Sequence, residues 1–303
     1  MNIKVWIEAA RLRTLPLSVS GIIVGSFAAY SQVENKFHFW CIFSLAILTT
    51  LCFQILSNFA NDYGDGVKGT DNENRVGPQR AIQSGAITKN QMKRAIVITS
   101  IFSLIIAVLL IYVSFGKDNF LYSLLFFVLG VTSIIAAIKY TVGKSAYGYR
   151  GLGDVFVFIF FGLVSVIGSN FLYTMTFDYT TIFPAITIGL LSVGVLNLNN
   201  MRDIDNDVAS GKNTIVVKMG SKNAKTYHIL MIIMAFISLL IFCLLRGMLV
   251  YPTSIVYLLL FATHLKRVND IQQPKAYDPE LKIVAMGTFL LSLVTAIELF
   301  FTK

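Results

Sequence analysis

Nine apolar stretches divide the chain, at about 15–32, 38–58, 94–115, 119–138, 153–174, 179–199, 226–246, 250–266 and 282–301. Basic residues cluster between them on one side only. Of the 25 lysines and arginines, 21 fall at the N-terminus or in the loops after the second, fourth, sixth and eighth stretches. The other loops and the C-terminus hold only Lys36, Lys117, Arg246 and Lys303. A spanning helix needs roughly 20 apolar residues, and Lys and Arg collect in loops that stay cytoplasmic. The alternation therefore predicts an all-α, polytopic membrane protein of nine transmembrane helices, with one integral-membrane domain over residues 1–303. It places the N-terminus in the cytoplasm and the C-terminus on the opposite side of an inner or plasma membrane. The net charge of +9 thereby becomes a topology signal, so the partner it implies is a lipid bilayer and not a nucleic acid. A chain that is 55% hydrophobic and 14% charged is also too apolar for a soluble domain.

Some local readings follow from the same pattern. Pro252 and His264 bracket the short run at 250–266, which leaves a re-entrant segment as the alternative there. Basic residues before the first stretch resemble a signal peptide, but eight further spans predict an uncleaved first helix. Cys41, Cys52 and Cys243 all lie in apolar stretches without a CxxC spacing, so they read as small buried side chains. His38, His228 and His264 have no sequence neighbour that suggests catalysis and read as structural.

Against this background the segment NFANDYGDGVKGTD at 58–71 is out of place, because isolated carboxylates are costly at membrane depth. At about 100° per residue, with Asn58 at zero, Asn61 falls near 300°, Asp62 near 40° and Asp65 near 340°, within an arc of about 100°. Gly64, Gly66 and Gly69 predict that helix does not continue far beyond this point, so that Asp71 returns to the site from a loop. A second cluster, NNMRDIDNDVASGKNT at 199–214, closes the sixth stretch on the same membrane side. There Asn199, Arg202, Asp203 and Asp207 fall on one side of the helix and Asp205 points away, toward solvent.

One such cluster is what any charged helix end at an interface looks like. Two that repeat asparagine, same-face aspartates and a Gly-containing basic loop point to a site. Opposed carboxylates without Cys or His ligands suit a hard cation, and Mg2+ binds through one or two carboxylates together with substrate phosphates. Asn58, Asp62, Asp65, Asn199, Asp203 and Asp207 are the expected catalytic set, with Asp62, Asp65, Asp203, Asp207 and also Asp71 as candidate metal ligands. Arg75, Arg80, Arg202 and Lys212 are the expected diphosphate clamps.

Three stretches, NDYGDGVKGTDNENRVGPQR at 61–80, YTVGKSAYGYRGLGDVFVF at 140–158 and NNMRDIDNDVASGKNTIVVKMG at 199–220, resemble the UbiA superfamily of membrane prenyltransferases. Within it they are most similar to the 1,4-dihydroxy-2-naphthoate polyprenyltransferases of menaquinone synthesis. ARLRTLPLS near the N-terminus extends the resemblance to essentially the whole chain, with Leu12 where proline is expected. The resemblance implies a nine-helix bundle with Mg2+-bound diphosphate between two aspartate-rich motifs. It also implies transfer of a polyprenyl chain from polyprenyl diphosphate to 1,4-dihydroxy-2-naphthoate, with loss of the ring carboxylate. It raises Tyr140, Tyr149 and Asp154 as aromatic-substrate residues, while Arg13, Lys139 and Arg150 remain alternatives for orienting the acid. Phe- and Tyr-rich spans four and five are candidate shields for an allylic cation. Two rival readings remain: transfer to another acceptor such as 4-hydroxybenzoate, homogentisate or haem, which keeps both aspartate clusters, and a secondary transporter, whose charges would lie nearer the bilayer midplane.

Overall fold

The computed structural model describes residues 3–73, 75–248 and 250–301. A short α1, Ile3–Ala10, leads through a break into α2, Leu15–Ala29. The break is made by Arg11, whose backbone is left-handed at φ 54 and ψ 57, and Pro16 sits in the first turn of α2. Left-handed backbone is costly for any residue but glycine or asparagine, so the turn depends on what surrounds Arg11.

Helix α3, Lys36–Lys68, starts where the Asn35 side chain accepts from the His38 amide and stops at Gly69, with φ 76. Its 33 residues carry the first aspartate cluster at the C-terminal end. The helix runs past Gly64 and Gly66, contrary to the sequence expectation. Gly64 is needed for packing instead, since a Cβ there would lie 2.4 Å from Thr141 Oγ1. Helix α4, Lys89–Phe115, begins with a capping box between Thr88 and Gln91, and α5, Phe120–Lys139, returns beside it.

The fifth span is continuous but irregular: α6, Gly153–Val157, passes through a π-helical segment, Phe158–Gly168, into α7, Ser169–Thr174. Glycines bring this span against its neighbours. A Cβ on Gly162 would be 2.5 Å from Ala185 O, and one on Gly25 would be 2.2 Å from Val166 O. Helix α8, Ile182–Arg202, ends at Asp203, where the backbone leaves helical geometry for one residue before α9, Ile204–Ala209. Helices α10, Ile215–Leu245, α11, Val250–Asp270, and α12, Tyr277–Phe301, complete the bundle.

Eight spans among the described residues are long and apolar enough to cross a membrane; α11 falls outside that set. It is nevertheless one uninterrupted helix of 21 residues, about 32 Å at 1.5 Å per residue. It lies antiparallel to α12 over its length, from Thr253, whose amide donates to Glu298, to His264, whose Nδ1 pairs with Glu280 at 2.5 Å. A re-entrant loop does not have that register, so the nine-helix reading stands with α11 as its most polar member. Its polarity is matched inside the bundle. His264 also meets His228 of α10, Nε2 to Nε2 at 2.8 Å, and Arg267 donates to Glu280 at 2.6 Å. The histidines thus have partners that the sequence did not suggest, though these lie in the helix packing and apart from the aspartates.

Candidate active site

The C-terminal end of α3, the α8–α9 junction and the loops at 70–88 and 140–152 meet at one end of the bundle. Asn206 of α9 joins the two clusters directly: its Nδ2 donates to Thr70 O at 2.9 Å, while its buried Oδ1 has no partner. Tyr149 ties the 140–152 loop to the first cluster, its hydroxyl donating to Asp65 Oδ1 at 2.7 Å while sharing a 2.5 Å hydrogen bond with Thr70. The one-residue break at Asp203 is what lets α9 turn toward the first cluster.

Asp62 is buried; one oxygen accepts from the Ala81 amide at 3.3 Å and the other has no partner. Arg11 and Arg80 are the cations that act on it. Asp71 does return from the loop, with Arg75 Nε at 3.0 Å, and its second oxygen is buried and unpartnered. Burial, reinforced by the charge of Asp65, pushes the Asp71 carboxyl up to about 6. Asp207 is pushed to about 6 by burial as well, against the pull of Lys212, whose Nζ is 3.4 Å away. Its Oδ2 has no partner either.

Asp203 behaves differently. Burial acts to raise it, but two hydrogen bonds from Arg202, at 2.9 and 2.6 Å, more than offset this and hold it below the usual carboxylate range. Asp205 is exposed, as its helical angle predicts.

The cations fill the spaces between these acids. Lys212 is buried among Asp65, Asp207 and Asp203; burial opposes its charge, but the carboxylates outweigh it and lift the ammonium above its ordinary range. Arg80 is pulled well below its ordinary value by burial and by neighbouring Arg11 and Arg75, and its buried Nε has no partner. A guanidinium stays protonated in proteins. Arg80 is therefore a buried cation near Asp62 and Asp71 with one N–H donor left free.

Not every predicted residue faces the gap between the clusters. Asn58 donates to Ala10 O at 2.9 Å and to Thr14 Oγ1 at 3.2 Å, and so holds the α1–α2 break against α3. Asn199 and Arg202 bond each other at 2.8 Å. Asp154 accepts from Tyr227 of α10 at 3.2 Å. Lys139 and Arg150 are exposed, whereas Arg13, also exposed, has Arg202, Asp278 and Arg75 as charged neighbours. Arg11 and Asn206 are site residues that the sequence reading passed over. Arg11 had looked like one more topology charge, yet it lies among Asp62, Asp65 and Asp71.

Below the charged end lies a cavity of about 340 Å³. Its polar mouth has Gln54, Ser57, Asn61 and Tyr140, and it continues between α3, α4, α5 and the fifth span to Ala46, Ile111 and Leu172. Phe126, Phe156, Phe160 and Phe161 supply aromatic wall. Burial raises the Tyr140 phenol to about 12, so it stands at the mouth as a neutral donor. The whole is a charged, polar end joined to a largely apolar cavity.

Among the described residues, no three His, Cys, Asp or Glu side chains are gathered as a preformed metal cage. The three unpartnered carboxylate oxygens of Asp62, Asp71 and Asp207 are all hard donors, and they fit a cation that completes its shell with ligand phosphates.

The profile of the UbiA prenyltransferase family matches residues 19–293. The chain is 39% identical to a 1,4-dihydroxy-2-naphthoate octaprenyltransferase of Haemophilus influenzae, over 98% of this chain and 96% of the relative. It is 40% identical to the Escherichia coli protein of the same name, again over 98% and 96%. The apo structure of a UbiA homologue from Aeropyrum pernix superimposes with a TM-score of 0.66 at 15% identity, covering 93% of this chain and 99% of that one.

Proposed function

The chain belongs to the UbiA prenyltransferase family and is a multi-pass membrane protein, and from that premise we propose that it transfers a polyprenyl chain from polyprenyl diphosphate to 1,4-dihydroxy-2-naphthoate with decarboxylation, a step of menaquinone synthesis. The observation that carries the reading is the near full-length likeness to two relatives of that name. The head-and-tail shape of the site supports it.

In this reaction the allylic C–O bond breaks and its electron pair leaves with diphosphate. The ring carbon that bears the carboxylate attacks the allylic carbon, a C–C bond forms, and CO2 departs leaving its electron pair to restore the aromatic ring. Asp62, Asp65, Asp71, Asp203 and Asp207 would hold Mg2+, which supplies charge neutralisation on the departing diphosphate.

Arg80, whose Nε has no partner, and Lys212 would donate charge-assisted hydrogen bonds to the same oxygens. The allylic cation is kept from water by the cavity wall, and the faces of Phe156, Phe160 and Phe161 attract positive charge. Arg13, the one basic candidate with site charges around it, orients the acid. The basic loops put this end of the bundle, with the N-terminus, on the cytoplasmic side and the C-terminus on the other.

The test is to incubate purified protein with Mg2+, labelled octaprenyl diphosphate and a panel of aromatic acids, and to identify products by mass. Prenylation of 4-hydroxybenzoate or homogentisate in place of the naphthoate overturns the acceptor assignment.

A further inference from the structure

Asp278 lies outside both aspartate clusters, in the first turn of α12, yet it touches the site through Arg202. Its Oδ1 accepts from Arg202 Nη1 at 2.6 Å. The remaining contacts of this guanidinium are Nε to Asp203 Oδ1 at 2.9 Å, Nη2 to Asp203 Oδ2 at 2.6 Å and Nη2 to Asn199 Oδ1 at 2.8 Å. An arginine has five N–H donors, and four are engaged here. The sequence reading made Arg202 a diphosphate clamp; its geometry makes it a holder of Asp203.

Beyond Asp203 the charges continue to alternate. Arg75 Nη2 is 3.9 Å from Asp203 Oδ2, and Arg75 Nε is 3.0 Å from Asp71. Asp278, Arg202, Asp203, Arg75 and Asp71 form a ladder from α12 to the first cluster. Gly77 packs on both guanidiniums: a Cβ there would stand 2.7 Å from Arg202 Nη2 and 3.0 Å from Arg75 Nη2.

The ladder sets what a cation meets at Asp203. Arg202 and Asp203 alone are a neutral pair, and a bidentate guanidinium occupies the edge of the carboxylate that a metal would approach. With Asp278 the group carries one net negative charge, and the guanidinium is drawn by two anions instead of one. We propose that Asp278 is a positioning residue for the metal–diphosphate site, holding Arg202 so that Asp203 stays oriented and keeps enough charge to bind a divalent cation. The inference rests on the metal and diphosphate reading given above. It is the carboxylate counterpart of the outer partners that orient ligands in metal sites.

The experiment follows thermal unfolding of the purified, detergent-solubilised protein with inorganic pyrophosphate while Mg2+ is titrated, since a ligand that binds the folded state raises its stability. Asp278→Asn is expected to raise the Mg2+ midpoint about tenfold while leaving the melting temperature without Mg2+ close to wild type. Asp278→Glu keeps the charge but moves it by one methylene, and is expected to raise the midpoint about threefold. Asp205→Asn removes one negative charge from the same end of the bundle without contact to Arg202, and is expected to change nothing. A wild-type midpoint in Asp278→Asn overturns the proposal, as does an equal shift in Asp205→Asn, which would mean that charge acts irrespective of position. If Asp278→Asn does not fold, Asp278→Glu decides, and an unmoved midpoint there overturns it. Absence of any Mg2+ effect in the wild type refutes the metal and diphosphate reading itself, and this proposal falls with it.

Discussion

Replacing Lys212 by glutamine separates two effects that most site substitutions confound. Lys212 is buried, lies 3.4 Å from Asp207, and has Asp65 and Asp203 among its charged neighbours. In the proposed function it both holds these acids together and grips the leaving diphosphate. A hydrogen bond to a charged group contributes about 1.5–3 kcal/mol. Since each 1.4 kcal/mol is about tenfold, kcat/KM for the prenyl diphosphate should fall roughly 10- to 150-fold. Affinity for Mg2+ should move the other way, because removing a cation from between carboxylates lowers the repulsion a second cation meets. Initial rates over a grid of Mg2+ and prenyl diphosphate concentrations give both quantities, with the KM for the naphthoate as an internal control. A variant whose Mg2+ requirement rises together with its prenyl diphosphate KM refutes the argument, since Lys212 would then be propping up the metal site and not competing within it.

Asp62→Asn and Asp203→Asn should each nearly abolish transfer while the purified protein keeps its helicity by circular dichroism; full activity in either removes its metal role. Asp205→Asn, at an exposed position, should keep most of the activity, and inactivation equal to that of Asp203→Asn would refute the face assignment. Asp71 and Asp207 have folded values of about 6 against an ordinary 3.8, so between these limits the folded state binds more protons than the unfolded chain. Without Mg2+ their contribution favours folding below about 3.8 and is lost as pH rises through about 6, so melting measured from about pH 4 to 6.5 should show stability falling and then levelling off. Pyrophosphate-dependent Mg2+ binding, which needs both acids ionised, should rise over the same window, and a flat profile in either measurement contradicts the burial argument. Gly64→Ala sets a methyl against Thr141 Oγ1 and, at 2.7 Å, its backbone carbon; overpacking of this kind costs about 1–3 kcal/mol, readable as a lower melting temperature.

The membrane-spanning helices and the two aspartate clusters were legible because each rests on a repeating signal: apolar length and a helical period. What could not be read were the pairings made across the bundle. Nothing local marks Arg11 as different from Arg13, yet a left-handed turn sends one among the aspartates and leaves the other exposed. Arg202 looked like a phosphate clamp since its loop is basic; that Asp278, 76 residues later, occupies it is a matter of α12 packing beside α8. The same limit explains Gly64. As a break signal it is ordinary, and only the approach of Thr141 shows that the helix keeps it for closeness. His228 and His264, 36 residues apart, could be paired only once α10 and α11 lay side by side.

Helix α3 carries Asp62 and Asp65 near its C-terminal end and, on the same unbroken rod, the cavity residues from Asn61 back to Ala46. That separation is about 22 Å at 1.5 Å per residue, and a hydrogen-bonded helix hardly stretches. If the proposed function holds, the helix serves as a ruler whose zero mark is the proposed metal–diphosphate site. Every prenyl donor is read from the same end, so its first isoprene unit meets the acceptor at one fixed height whatever the length of its tail. Differences between long and short donors are pushed to the far end of the rod, past Ala46, where no bond is made or broken. A change in tail length should then alter how firmly a donor is held and how fast its product leaves, while the bond-forming step keeps its rate.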